Sequence, residues 1–279
     1  MQEYTTHIKS KTGWFDIDLK ELWQYRDLII LFVKRTYSTR YKQTILGPLW
    51  LIFNPLITVA LYALVFGNLA GLSTDGAPQF AFYLCSNAIW SYFAICITET
   101  SNTFTANAAI MGKVYFPRLV MPISSVLTGI LDLLIQVAML AVILLIYFLT
   151  GTQIQTNLSI VFAPILIIQT ALLGLGCGII IAACTTKYRD LAVLVSFGVQ
   201  LWMYASPVVY TTSIISQNLY NIYMINPMAP IIACWRYSIL GIGNPPMGYW
   251  GISWIITISI LVIGVLLFSR IEKTFMDTV

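Results

Sequence analysis

Six apolar runs dominate this chain, at roughly 45–67, 80–98, 121–149, 160–184, 190–209 and 250–268, each bounded by polar residues or by Pro and Gly. As helices, runs of about 20 residues match the hydrocarbon thickness of a bilayer, and a helix satisfies its own backbone hydrogen bonds there. The expected fold is therefore all-α and polytopic, with six transmembrane helices. Composition agrees: 58% of residues are hydrophobic and only 9% charged, and the mean hydropathy is +0.82. A chain this apolar cannot keep its side chains off a water-facing surface.

Three parts follow. Residues 1–43 form a polar N-terminal segment, 44–270 the membrane domain, and 271–279 a short C-terminal tail. The first apolar run begins only after some 40 polar residues and is followed by no small-residue cleavage site, so the N-terminal segment is expected to be retained in the cytoplasm. Six spans with both termini inside put 14 of the 15 Lys and Arg residues on the cytoplasmic face and leave only Arg236 outside. Cytoplasmic flanks retain Lys and Arg, so the opposite orientation is disfavoured.

Ahead of the first span, residues 17–37 place Leu19, Leu22, Trp23, Leu28, Ile29 and Phe32 at spacings of three and four among charged residues. This predicts an amphipathic helix, with Asp18 and Glu21 spaced as a capping box. Such a helix can lie in the cytoplasmic headgroup layer or pack on a partner protein. The segment 211–248 is interrupted by Asn226, Pro227, Pro230, Gly241, Gly243, Pro245 and Pro246. It suits re-entrant or gate half-helices between spans five and six better than one ordinary span.

Several chemistries lack their residues. There is no G-x-x-x-x-G-K-[ST] phosphate loop, so ATP hydrolysis by this chain is not expected. The single histidine, His7, lies in the polar tail, and no metal site is expected. Cys85, Cys96, Cys177, Cys184 and Cys234 lack C-x-x-C spacing, and most fall in apolar runs where a thiol packs as a small hydrophobe. No nucleophile with its base and no acidic pair of a glycosyltransferase type is present, so no catalytic residues are assigned.

Polar residues within spans are costly unless they face protein or water. Asp132 lies about 11 residues into the third span, roughly 16 Å deep by helical rise, with Gln136 one turn further on the same face. The simpler reading is a carboxyl group satisfied by a neighbouring helix; the functional one is a translocation path or proton site. Gln169 and Gln200 raise the same choice, and Gly174, Gly176 and Gly178 read as close-packing positions. Two cytoplasmic connections, 99–122 and 187–191, carry basic and aromatic residues together. They can dock a partner, bind an anionic headgroup, or simply follow the positive-inside rule.

Five segments in order resemble one family. They are Arg35 to Pro55, with its Arg-Tyr-Lys-x-x-x-Leu-Gly-Pro-Leu-Trp core, Phe-Pro-Arg-Leu-Val-Met-Pro at 116–122, Tyr-Arg-Asp-Leu at 188–191, Ser-Pro-Val-Val-Tyr at 206–210, and Asn-Pro-Met-Ala-Pro at 226–230. Together they resemble the permease subunit of type 2 ATP-binding-cassette polysaccharide exporters, which move O-antigen, capsule or teichoic acid chains. The resemblance implies a homodimer with two cytoplasmic ATPase subunits that bind ATP and Mg, in a bacterial inner membrane. It implies no cofactor on this chain and no nucleic-acid partner. Lipid-linked glycan would enter between residues 17–37 and about 106–118 and leave past gate helices at 211–248. Coupling to the ATPase would fall on Tyr115, Phe116, Lys187, Tyr188, Arg189 and Asp190.

A polyprenyl pyrophosphate carrier is anionic, and Arg grips phosphate with a forked donor while Lys acts as a point charge. Arg35, Arg40, Lys42, Lys113 and Arg118 are the candidate headgroup contacts. Sugars slide along aromatic faces, which Trp50, Phe53, Tyr62, Trp90, Tyr92, Trp202, Tyr204 and Tyr210 can supply; a lipid-facing aromatic belt predicts similar enrichment. Two alternatives remain at this level. One is an exporter of a small lipid or drug, and the other is a membrane-embedded enzyme acting on polyprenyl-linked sugars.

Overall fold

The computed structural model describes residues 19–42, 47–103, 106–107, 110, 113–114, 116–152, 158–185 and 191–275. The regular structure of these residues is helical: α1 (Leu19–Gln24), α2 (Arg26–Tyr41), α3 (Trp50–Tyr62), α4 (Gln79–Ser101), α5 (Val120–Leu149), α6 (Ala163–Thr185), α7 (Leu191–Tyr204), α8 (Gln217–Tyr223), α9 (Met228–Leu240) and α10 (Met247–Phe275). A tight turn at Gly47–Leu49 opens α3, and a π-helical stretch, Ala63–Leu69, extends it. Gly47 takes φ +49° there, a left-handed conformation that favours glycine.

Five helical stretches are long and apolar enough to cross a bilayer: Gly47–Leu69, Gln79–Ser101, Val120–Leu149, Leu158–Thr185 and Met247–Phe268. The run at 190–209 is not a sixth among the described residues. α7 covers 14 residues, about 21 Å by helical rise, short of the hydrocarbon core. Pro207 helps to explain the stop, because proline and the residue before it resist continuing a helix. Val208 N instead donates to Ser206 O at 2.7 Å, in a turn. The segment 211–248 is broken as its Pro and Gly content predicts, into a short turn, α8 and α9. Gly241 closes α9 at φ +67°.

The core is built around α4. Most of that helix is buried, on every side rather than along one stripe. Phe82, Tyr83, Leu84, Ile89, Phe93 and Ile97 are fully buried. α5 and α6 pack along α4, and α10 packs along α6. Glycines set the spacing of these layers. Gly174 and Gly178, one turn apart on α6, face Cys96 and Thr100 of α4, so closely that a Cβ at Gly178 would lie 2.5 Å from Thr100 Cβ. Gly176, on another face of α6, meets α10, where a Cβ would lie 2.9 Å from the Leu261 backbone. Gly264 of α10 returns the contact, its own Cβ position being 2.8 Å from Gly176 O. All three α6 glycines thus serve close packing, as in membrane helix pairs generally.

α2 lies against the same end of the bundle. Ile29 and Phe32, three residues apart on one face, are buried with Phe116, Val120, Met121, Ile179, Ala182 and Phe268. Ile30 and Leu31 on the other side are exposed. α3, α5 and α10 also expose large apolar residues outward, among them Ile57, Leu61, Val142, Leu145, Ile255 and Val262. A water-soluble protein rarely leaves so continuous an apolar surface, and the chain is a multi-pass membrane protein.

Replacing Gly176 by Val should cost about 1–3 kcal/mol of stability, because the neighbouring backbone cannot yield. Gly251→Ala, where a Cβ meets nothing within 4 Å, should be neutral or slightly stabilising. Thermal unfolding of the two variants in detergent checks the contrast.

Candidate functional site

A cavity of about 640 Å³ opens between α3, α4 and α5, lined also by Arg40 from the last turn of α2 and by Met203 of α7. Its wall is mixed: α3 contributes Trp50 and Tyr62 together with Asn54 and Thr58, α4 sets Asn87 and Ser91 beside Trp90, and α5 adds a polar strip. The helical period produces that polar strip: Asp132 and Gln136 are one turn apart on α5 and both reach the cavity. Opposite them, Asn87 Nδ2 of α4 donates to Gln136 Oε1 at 3.3 Å. Tyr62 OH donates to Met203 Sδ at 3.3 Å and so links α3 to α7 across the cavity.

Arg40 organises the polar end. Its Nη1 donates to Asp132 Oδ2 at 2.9 Å, and its Nη2 donates to Glu99 Oε1 at 3.0 Å. Three helices, α2, α4 and α5, are therefore joined through one guanidinium. The planar fork of Arg suits two acceptors on different helices, which a Lys point charge could not hold in the same way. Asp132 is thus paired through Oδ2 with a neighbouring helix, and it also borders the cavity. Gln169 is hydrogen-bonded through both ends of its amide to α10. Its Oε1 accepts from Trp250 Nε1 at 2.7 Å and its Nε2 donates to Ser253 Oγ at 2.9 Å. Ser253 Oγ in turn donates to Pro227 O at 2.8 Å, tying α6 and α10 to the start of α9. Gln200 is exposed on α7.

Of the eight aromatic candidates, Trp50, Tyr62 and Trp90 line the cavity together. Phe53 is exposed on α3. Tyr92 is fully buried, its ring packed where Gly129 of α5 leaves room. Trp202 stacks edge-on against Phe93 with centroids 5.1 Å apart and donates its Nε1 to Asn226 Oδ1 at 2.9 Å. Tyr204 is exposed, and its carbonyl accepts from Tyr210 OH at 2.9 Å. Tyr210 OH also pairs with Tyr223 OH at 3.0 Å. Burial, then the Tyr210 hydrogen bond, pushes the Tyr223 hydroxyl well above its ordinary range.

Asn226 joins two of the sequence segments. Its Oδ1 accepts from Trp202 Nε1 and from Met228 N, and its Nδ2 donates to Ala205 O and Ser206 Oγ, both at 2.9 Å. One amide thus ties the Ser-Pro-Val-Val-Tyr turn to the first turn of α9. Arg236 of α9 is buried beside this joint, donating to Tyr210 O at 3.0 Å with its guanidinium 4.7 Å from the Phe82 ring centroid.

The basic candidates are dispersed in character. Arg35, Lys42 and Lys113 are exposed, Arg118 is half-buried, and Arg40 is engaged with its two carboxylates. Phe116 is buried, its ring 5.8 Å from that of Phe32, where it anchors α2 to the start of α5. Tyr115, Lys187, Tyr188, Arg189 and Asp190 lie outside the described residues, as do Asp18 and much of 106–118. Among the described residues, no group of three or more His, Cys, Asp and Glu is placed to hold a metal ion.

Asn87, Glu99 and Met203 were not singled out by the sequence. Asn87 carries the same signal as Asp132, a costly amide inside an apolar run. Glu99 sits at the end of its run, where a carboxylate looks ordinary, and a methionine in a span carries no signal.

Residues 27–240 match the family model described as ABC-2 type transporter. The chain is 29% identical over 253 residues to an O-antigen export system permease protein RfbA of Klebsiella pneumoniae, covering 90% of this chain and 94% of that protein. A relative with the same description from Myxococcus xanthus is 27% identical over 221 residues, covering 78% and 82% of the two chains.

Removing Arg40 leaves the buried Asp132 carboxylate without its cation. Arg40→Gln should destabilise by about 3–5 kcal/mol, and the double variant with Asp132→Asn should recover most of that loss. Unfolding of the two single variants and the double variant in detergent checks this, additive losses being the contrary result.

Proposed function

The chain belongs to the ABC-2 type transporter family, and from that premise we propose that it is the permease subunit of an ATP-driven exporter that carries lipid-linked polysaccharide across the bacterial inner membrane. The observation that carries this reading is the match along 90% of the chain to a permease named for O-antigen export. The chain is a transporter membrane subunit rather than an enzyme. ATP and Mg belong to a separate cytoplasmic ATPase, which docks on the connections near 113–118 and 187–191.

The size of the cavity supports a homodimer. About 640 Å³ is the scale of a single small-molecule site and does not enclose a polymer. α3 is mostly exposed beside that cavity, and α7 exposes Val193, Leu194, Phe197 and Leu201. Two copies facing each other across α3 and α7 turn two open cavities into one conduit, with Trp50, Tyr62 and Trp90 as sliding surfaces for sugar rings. In this reading α7 and the segment following it complete the sixth crossing, α8 and α9 form the extracytoplasmic gate, and α1 and α2 lie at the cytoplasmic interface. The distribution of Lys and Arg supports cytoplasmic placement of both termini.

Carrier loading takes place beside α2. Arg35, Lys42 and Lys113 are exposed to meet the pyrophosphate, and the isoprenoid chain stays in the surrounding lipid. The glycan, which has no favourable place in hydrocarbon, follows the polar strip of Asp132, Gln136 and Asn87.

Co-reconstitution with the partner ATPase in vesicles holding lipid-linked glycan tests the reading. ATP-dependent appearance of glycan on the far side is the expected result, and ATP hydrolysis with no glycan moved would sink it. Arg35→Gln combined with Lys42→Gln should raise the half-saturating carrier concentration about tenfold, the loss of a charge-assisted contact. ATPase assembly should be unchanged, as read by co-purification.

A further inference from the structure

The two carboxylates on Arg40 differ in burial. The Asp132 side chain is 6% exposed and the Glu99 side chain 45%. Asp132 Oδ2 takes the Arg40 Nη1 hydrogen at 2.9 Å, while Asp132 Oδ1 is buried with no hydrogen-bond donor among the described residues. Taking Arg40 away would leave a buried carboxylate without its cation. Glu99, by contrast, would only exchange Arg40 for water. Glu99 is also badly placed for its own helix. It lies in the last turn of α4, where the exposed carbonyl ends disfavour a negative charge. The contact with Arg40 Nη2 at 3.0 Å offsets that cost.

From this asymmetry we infer that Arg40 is a phosphate-binding guanidinium, held in position by Asp132 and masked by Glu99 until a phosphate oxygen of the carrier headgroup takes the Glu99 place. The inference rests on the transport reading above for its ligand class, a prenyl-linked phosphate. Carboxylate and phosphate oxygens offer a guanidinium the same hydrogen-bond geometry, so Glu99 Oε1 marks where the incoming oxygen sits. With Glu99 in place, two carboxylates share one cation, and the site turns away free anions. With Glu99 displaced, Nη2 faces the headgroup and Nη1 stays on Asp132. Asp132 is then a positioning residue, and Glu99 sets the threshold for entry.

The two carboxylates therefore have opposite effects on binding. Simple electrostatics predicts that neutralising either one tightens an anion, and a purely structural clasp predicts no gain from either. Masking with positioning predicts that Glu99→Gln tightens binding and Asp132→Asn weakens it.

The test uses the full chain in nanodiscs, with farnesyl pyrophosphate, farnesol and inorganic pyrophosphate as probes, read by tryptophan fluorescence because Trp50 and Trp90 line the cavity. Glu99→Gln should lower the Kd for farnesyl pyrophosphate about fivefold, the scale of a half-exposed ion pair. Asp132→Asn and Arg40→Lys should raise it about tenfold or more, as loss of an aimed, charge-assisted contact. Farnesol should respond to none of the three. Shifts of the same sign for Glu99→Gln and Asp132→Asn overturn the inference. So does unchanged or weaker binding by Glu99→Gln, which decides the matter alone should Asp132→Asn not fold. Inorganic pyrophosphate binding as tightly as farnesyl pyrophosphate would overturn the carrier as ligand in favour of a free anion. Wild-type glycan transport is scored separately. Transport with the wrong binding signs sinks only the masking inference, and correct signs without transport sink the transport reading.

Discussion

The close approach of α4, α6 and α10 is the constraint on which the rest of the structure depends. In a bilayer the apolar surfaces of two helices gain nothing by leaving lipid for each other, so association relies on van der Waals fit and on polar contacts. Gly174 and Gly178 let α6 settle against Cys96 and Thr100, while Gly176 and Gly264 bring α6 and α10 into backbone contact. Once these three helices are in place, α5 packs on the remaining side of α4, and the face of α4 carrying Asn87 and Trp90 is left to border a cavity.

Polar side chains then act as joints at places where the chain changes direction. Gln169, Ser253 and Pro227 connect α6, α10 and the start of α9. Asn226 uses both ends of its amide to hold the turn after α7 against α9. Arg40 connects α2 to α4 and α5. Such groups are costly in hydrocarbon when unpaired, so each joint specifies one arrangement more sharply than its net strength suggests. The segments 206–210 and 226–230 stood out in the sequence as separate Pro-containing motifs, and in the fold they form one structural unit. A bundle held by joints of this kind can change shape at a few defined contacts while the glycine-packed layers stay intact.

Much of the site was legible in part. Asp132 and Gln136 were readable because their spacing puts them on one helical face inside an apolar run. Their partners were not, since Arg40 lies 92 residues from Asp132 and Gln136 meets an amide 49 residues away. Arg40 read as a cation waiting for phosphate, and in the structure it holds two carboxylates. Phe116 read as part of a docking loop, and it is buried against Phe32. Among the aromatics, composition could not separate Trp50, Tyr62 and Trp90, which border the cavity, from Tyr92, which fills the space beside Gly129.

The sequence by itself determined the solvent of this protein, the all-helical class, the approximate limits of five long helices, and the close-packing role of Gly174, Gly176 and Gly178. These follow from local properties: run length against bilayer thickness, backbone self-satisfaction, and the lack of a side chain. Only the tertiary structure decided that Asn226 unites two distant motifs, and that Arg40 lies between Asp132 and Glu99 beside a cavity. Those facts depend on which faces meet across dozens of residues, and hydropathy and charge along a chain do not contain that geometry.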